Sequence, residues 1–388
     1  MTILIAIDGL MSAAPEQEPL PVLERLAARG RTGRLQFRTE PWFEWLGGFS
    51  SEWSTEGRDL PLGYASSLAL AAREEMAWPD PTRIWCCLGF THLYKKQNDL
   101  IFLSAERTGQ SPEECRSLVE ALLPDMQEAG WSWYAPVRAG EDRVAVFSRA
   151  ATLQPAADLQ TQPLERLEGR SFRACAPTGP YAATLLRLLT VGQLILARHP
   201  LNRQRQRGGR VTLNTPWMWG VGSGMGFAPH GRTGRGCCWT AEPVLAGLAH
   251  ARGFRLAGLN EQEDFTPLVT ALQQVRPEAL NLIHLSLPSV LARHGLLEER
   301  RTFLQRVNDQ LLEPLTRMLA NTQESLLITS LYPPGGDDRA DARPAWPAVP
   351  WVMGKGRALV CGRRFWHRGR LGEGDVLDVA RFWSLCGV

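Results

Sequence analysis

Ile3-Leu4-Ile5-Ala6-Ile7-Asp8-Gly9 is an unbroken apolar run that stops on a carboxylate and a glycine. Every position of the run is apolar, not every second one. That pattern suits a strand covered on both faces, as in a parallel sheet flanked by helices. Open α/β sheets carry their sites at the carboxyl ends of such strands, which is where Asp8 falls. Leu20, Leu23, Leu26 and Ala27 then recur at helical spacing, and Gly30 supplies a stop. Residues 33–38 read as the next strand, so the chain opens β-α-β.

Working outward, residues 41–64 are rich in Trp, Gly and Ser and read as a long irregular loop, the kind that carries function. Residues 83–94 and 100–103 read as strands joined by a turn at Gln97-Asn98-Asp99. Ser111-Pro112-Glu113-Glu114 is a capping box with proline at the first helical position, and it predicts a helix to about residue 129. Residues 131–135 and 143–147 read as a second strand pair. This hairpin–helix–hairpin unit is α+β and is read as an inserted cap over 80–154, leading into a Gln/Ala/Pro linker near 151–163. Beyond it the spacing predicts an amphipathic helix over 181–198, a second long loop over 200–236, and helices over 240–252 and 263–275. A strand over 279–287, a long helix over 296–319 and strands over 325–331, 349–353 and 357–360 follow. The expected fold is α/β. A three-layer α/β/α sandwich with a mostly parallel sheet is built from 1–79 and 155–388, and the α+β cap is inserted into it.

Composition narrows the function classes. The 388 residues carry 43 basic and 40 acidic side chains, a net charge of +3. So even a balance gives no reason to expect nucleic acid as a partner. No run approaches the ~18 apolar residues of a membrane span, and Asp8 interrupts the apolar start too early for a signal peptide. The eight cysteines form no C-x-x-C pair, and the adjacent pairs Cys86-Cys87 and Cys237-Cys238 suit neither a disulfide framework nor a zinc site. Reduced thiols in a cytoplasmic protein are the expectation.

The most specific stretch runs from His199-Pro200-Leu201-Asn202-Arg203-Gln204-Arg205 through Gly208-Gly209 to Asn214-Thr215-Pro216-Trp217-Met218-Trp219-Gly220-Val221-Gly222. It resembles a segment of the archaeal-type, cofactor-independent phosphoglycerate mutases of the alkaline phosphatase superfamily. Asn202, Arg205, Asn214, Gly220 and Gly222 hold that family's spacing, while Trp219 stands where the family has an arginine. Asp8-Gly9 resembles its opening Asp-Gly, Gly57-Arg58 its Gly-Arg segment, and Ala348-Val349-Pro350 its Pro-Val-Pro. The resemblance implies that Asn202, Arg205, Asn214, Gly220, Gly222 and Arg58 bind a substrate phosphate or another anion. It implies that Asp8 is a ligand to one of two Mn or Mg ions, and that a serine in the first long loop carries the phosphoryl group. Ser51 is the nearest match.

Such a site needs about six carboxylate or imidazole ligands around its two metals. Most of the family's positions are filled otherwise. Its Asp-x-x-x-His falls on Pro288 or Ser289 and on Arg293, with His294 one residue displaced. Its Asp-His falls on Ser330-Leu331-Tyr332, and its last histidine on the window of Arg343, Pro344 and Trp346. Asp8 with His294 cannot hold two metals. The expectation is a degenerate member without two-metal catalysis and without a bound cofactor, binding an anionic small molecule or a protein partner. An active mutase or phosphohydrolase using Mn or Mg is the alternative. His284, inside an apolar strand, is expected as a hydrogen-bonded core histidine, and His199 as a partner of a helix C-terminus. Trp217, Trp219 and Trp239 read either as an aromatic floor with Trp42, Trp45 and Trp53 or as volume filling.

Overall fold

The computed structural model describes residues 2–8, 10, 20–29, 31–36, 46, 61–103, 105–134, 143–151, 159–164, 167–225, 236–274, 280–320, 325–330, 355–362 and 376–377. In chain order the elements used below begin with β1 (Thr2–Ile7), α1 (Pro21–Arg29), β2 (Arg31–Gln36), α2 (Leu62–Arg73), β3 (Ile84–Lys96) and β4 (Asp99–Leu103). Next come α3 (Pro112–Glu128), β5 (Ser132–Trp133), β6 (Ala145–Arg149), α4 (Ala182–Arg198), α5 (Pro200–Arg207) and β7 (Thr215–Ser223). The chain continues through β8 (Cys237–Thr240), α6 (Pro243–Ala251), β9 (Arg255–Gly258), α7 (Thr266–Gln273), β10 (Leu280–Leu285) and α8 (Leu287–Arg293). It closes with α9 (Leu297–Arg306), a π-helical turn (Val307–Leu312), α10 (Glu313–Ala320), β11 (Ser325–Ser330), β12 (Lys355–Gly362) and β13 (Val376–Leu377).

β1 lies inside an eight-stranded sheet of order β13-β2-β12-β11-β1-β10-β8-β9. It pairs in parallel with β10 on one side and β11 on the other. β10–β8 and β8–β9 are parallel as well, while β12 runs antiparallel to both β11 and β2. Residues Ile3 to Ile7 are all at most 1% exposed, so both faces of the strand are covered, as the unbroken apolar run implied. Ile3, Ile5 and Ile7 share a core with Val22 and Leu26 of α1, Leu268 and Leu272 of α7 and Phe303 of α9. Each such burial contributes about 1.5–3 kcal/mol.

A second sheet is antiparallel. β3 is its spine, with β6 and β4 along one edge, β5 outside β6, and β7 along the other edge. The capping box forms as read: the Ser111 hydroxyl accepts from the Glu114 amide at 3.2 Å, and the Glu114 carboxylate from the Ser111 amide at 3.0 Å.

The chain separates into two compact units: Met1–Ser51 with Pro229–Pro347 and Trp351–Val388, and Glu52–Ala228 with Ala348–Pro350. The second unit is larger than the cap expected over 80–154. The reason is β7, which pairs with β3 from Ile84 to Thr91 and so draws residues up to 223 into the second sheet. The loop expected over 200–236 is corrected accordingly: it contains α5 and β7. Pro216, Gly220 and Gly222 disguised the strand, and a register shift opposite Trp85 and Cys87 breaks its alternation. Helix α2 and strands β8 and β9 also escaped the sequence reading. The strand expected over 349–353 lies outside the described residues.

Candidate functional site

Asp8 ends β1, and its amide donates to the Leu285 carbonyl at 2.9 Å. It is 4% exposed. Because β1 and β10 run in register, with Ala6 opposite His284, the two strands end with Asp8 beside that histidine. His284 Nε2 lies 2.9 Å from Asp8 Oδ2, and Nδ1 lies 3.1 Å from the Thr240 hydroxyl at the end of β8. That hydroxyl also accepts from the Glu242 amide at 3.0 Å. Three adjacent strands therefore deliver one buried chain, Asp8–His284–Thr240, to the carboxyl edge of the sheet. Burial opposes a charge on His284. The Asp8 carboxylate and its hydrogen bond, with Glu261 and Glu242 behind, outweigh burial and raise the imidazole's pKa above its usual value.

The neighbouring acids are engaged. Glu261 accepts from the Ser286 amide and hydroxyl at 2.9 and 2.8 Å and from the Leu287 amide at 2.8 Å. The first turn of α8 thus meets a carboxylate of its own chain. Glu242 accepts from the Val244 amide at 3.2 Å, at the start of α6. Asp8 Oδ1 is the exception, buried without a hydrogen-bond partner among the described residues. The two-metal centre that the resemblance implies does not fit this set. Among the described residues no three His, Cys, Asp or Glu side chains are grouped to hold a metal ion. His294 caps the C-terminus of α8, its amide donating to the Val290 carbonyl at 3.2 Å.

The described anion-binding candidates belong to the second unit, and there each has a packing role. Asn202 donates to the Leu196 and Leu213 carbonyls at 2.8 and 2.9 Å and accepts from the Leu213 amide at 2.7 Å, clamping the turn between α5 and β7. Asn214 accepts from the Leu93 amide at 2.8 Å and donates to the Leu93 carbonyl at 2.9 Å, so its amide extends the ladder like one more peptide. Arg205, 1% exposed, donates to the Val211 carbonyl at 2.6 Å, to the Thr108 carbonyl and to Glu114. The guanidinium expected to hold a phosphate is thus buried among acceptors of its own chain. Gly220 has φ +62°, and a Cβ there would come within 2.5 Å of Leu62 Cβ. A Cβ on Gly222 would meet Pro61 Cβ at 3.1 Å. Both glycines let the start of α2 lie against β7. Ser51 and Arg58 lie outside the described residues, as do Trp42, Trp45 and Trp53. Trp217 and Trp219 are buried in β7, and Trp239 in the core of the first sheet.

His284 was expected as a core histidine, but its partnership with Asp8 and Thr240 was not foreseen. Only the strand register brings residues 8, 240 and 284 together. His199 sits at the helix C-terminus expected of it, its amide donating to the Leu196 carbonyl at 3.2 Å as the C-cap of α4. It also caps the start of α5, where its ring accepts from the Leu201 amide at 3.3 Å, and burial lowers its pKa.

No family model matches the chain. It is 22% identical over 333 residues, 81% of each chain, to a probable 2,3-bisphosphoglycerate-independent phosphoglycerate mutase of Geobacter sulfurreducens. It is 20% identical over 231 residues to the 2,3-bisphosphoglycerate-independent phosphoglycerate mutase of Methanosarcina barkeri, covering 57% of this chain and 56% of that one. Among solved structures, the PH0037 protein from Pyrococcus horikoshii shares the fold with a TM-score of 0.59 at 14% identity, over 100% of this chain and 97% of that one.

Proposed function

From its standing as a divergent member of the cofactor-independent phosphoglycerate mutase family, we propose that this chain binds a phosphorylated or otherwise anionic small molecule without performing two-metal phosphoryl transfer. One observation carries the reading: Asp8, the carboxylate that matches the family's first metal ligand, is hydrogen-bonded to His284. Two divalent ions clamping a phosphoryl group need several anionic or neutral ligands pointed at one spot. Here the group facing Asp8 is an imidazole whose pKa is raised. That imidazole already takes one of the carboxylate's oxygens, and among the described residues no group of three His, Cys, Asp or Glu side chains forms to hold a metal ion. When bound, the family's metals would activate the nucleophile and neutralise the phosphoryl oxygens. In this chain Asp8, His284 and Thr240 are hydrogen-bonded to one another across three strand ends. Glu261 supplies the carboxylate at the α8 N-terminus that an external anion would otherwise supply.

The test combines metal analysis with an assay. The chain purified from Mn- and Mg-supplemented medium is expected to hold far less than one metal per molecule. It is expected not to interconvert 2- and 3-phosphoglycerate above background. Near-stoichiometric metal together with turnover that disappears in Asp8→Ala would establish the active mutase instead.

A further inference from the structure

We infer that the face of the β5–β6 pair carrying Trp131, Trp133 and Arg149 is a binding site for the phosphate group of a phosphorylated small molecule. The inference deepens the anion-binding part of the proposed function and does not depend on whether catalysis survives.

Ser132 pairs with Ser148 and Trp133 with Phe147. Alternation therefore sets Trp131, Trp133, Phe147 and Arg149 on one face, with Trp131 across from Arg149. The Arg149 guanidinium is held between two rings, its carbon 5.4 Å from the Trp131 ring centroid and 4.9 Å from that of Tyr181. It donates to the Tyr181 hydroxyl. The residue is 6% exposed, and no carboxylate among the described residues bonds to it.

Three N–H donors here have no acceptor among the described residues: Arg149 Nε, Trp131 Nε1 and Trp133 Nε1. Elsewhere in the same unit the chain satisfies its buried indoles, Trp85 donating to the Asp80 carbonyl and Trp217 to the Gln162 carbonyl, each at 2.8 Å. Cys86 feels the Arg149 charge but offers no counterion, because burial and the adjacent Cys87 hold its thiol well above the ordinary range. Tyr181 is also the residue before the first turn of α4, a helix whose N-terminus lacks a side-chain cap. The positive end of that helix thus starts beside the guanidinium. A buried cation with no anion among the described residues, donors with no acceptor among them and a helix N-terminus without a side-chain cap all ask for the same group. Phosphate oxygens accept from a guanidinium and from indole N–H groups alike.

The test uses the whole chain. Thermal unfolding is followed with 3-phosphoglycerate, with inorganic phosphate, and with sodium chloride at matched ionic strength. At about 100 times its Kd, 3-phosphoglycerate is expected to raise Tm by about 5 °C. The rise should vanish in Arg149→Met, and the Trp131 and Trp133 indole N–H resonances, assigned with Trp131→Phe and Trp133→Phe, should move downfield on titration. Trp133→Phe keeps the cation and a half-buried position, and is expected to weaken binding about tenfold; it serves if Arg149→Met fails to fold. An equal rise with inorganic phosphate identifies the ligand as the ion itself. An unchanged rise in Arg149→Met and Trp133→Phe sinks this site and leaves the proposed function standing. No shift with any probe sinks both. Glu141 and Asp142 follow β5 in the sequence. If replacing them with Gln and Asn moves the indole resonances without added ligand, the acceptor is internal and the inference fails.

Discussion

Among its described residues the second unit buries two arginines, and they are satisfied in opposite ways. Arg205 sits in the stretch most like the phosphoglycerate mutases, yet it meets Glu114 and two carbonyls of its own chain. Arg149 sits in a strand that no motif marks, and it meets two rings and one hydroxyl. A motif arginine surrounded by internal acceptors ties elements together. A plain strand arginine that meets no acid among the described residues keeps its charge available. The spacing of a motif therefore reports which residues fold alike, while the inventory of acceptors reports which cation remains for a ligand.

The contrast breaks first at Arg205. Arg205→Ala leaves Glu114, whose side chain is 11% exposed, without its main cation. It is expected to cost about 3–5 kcal/mol in denaturant unfolding; a loss near zero would mean that the pair is dispensable. Gly220→Ala comes next. It forces a Cβ into Leu62 at a positive φ, and about 2–4 kcal/mol should be lost from the second unit, with the first unit's near-UV signature retained.

Asp8→Asn carries the comparison to the first sheet, where a carboxylate and an imidazole face each other at 2.9 Å. His284 binds its proton more tightly in the folded chain than in the unfolded one. Its contribution is therefore full below about pH 6.5, the unfolded value, and fades as pH rises through the higher folded value. Wild-type stability should fall across that window relative to Asp8→Asn. Equal pH dependence in the two proteins would disconnect the pair. Arg149→Met should have the smallest effect without ligand, within about 1 kcal/mol, because an unpaired buried cation is exchanged for an apolar side chain of similar length. A loss as large as that of Arg205→Ala would make Arg149 structural too.

Much of this architecture was legible in the sequence, and the gaps have physical causes. The Ile3–Ile7 run, the 111–114 capping box and the 97–99 turn are local signals, and each forms as read. β7 was hidden because glycines and a proline occupy a strand whose partner, β3, lies more than a hundred residues away in the chain. The pairing of Arg205 was hidden for a related reason, since Glu114 lies 91 positions away.

By itself the sequence determined the local choices: where strands and helices start, which faces are apolar, and which family the chain resembles. Only the tertiary structure decided which polar groups answer one another. Asp8 meets His284 because parallel strands align residues 276 positions apart. Trp131 Nε1, Trp133 Nε1 and Arg149 Nε find no acceptor because nothing in the described chain folds over to supply one. Hydrogen bonds and ion pairs act over a few ångströms in space, and distance along the chain carries no record of them.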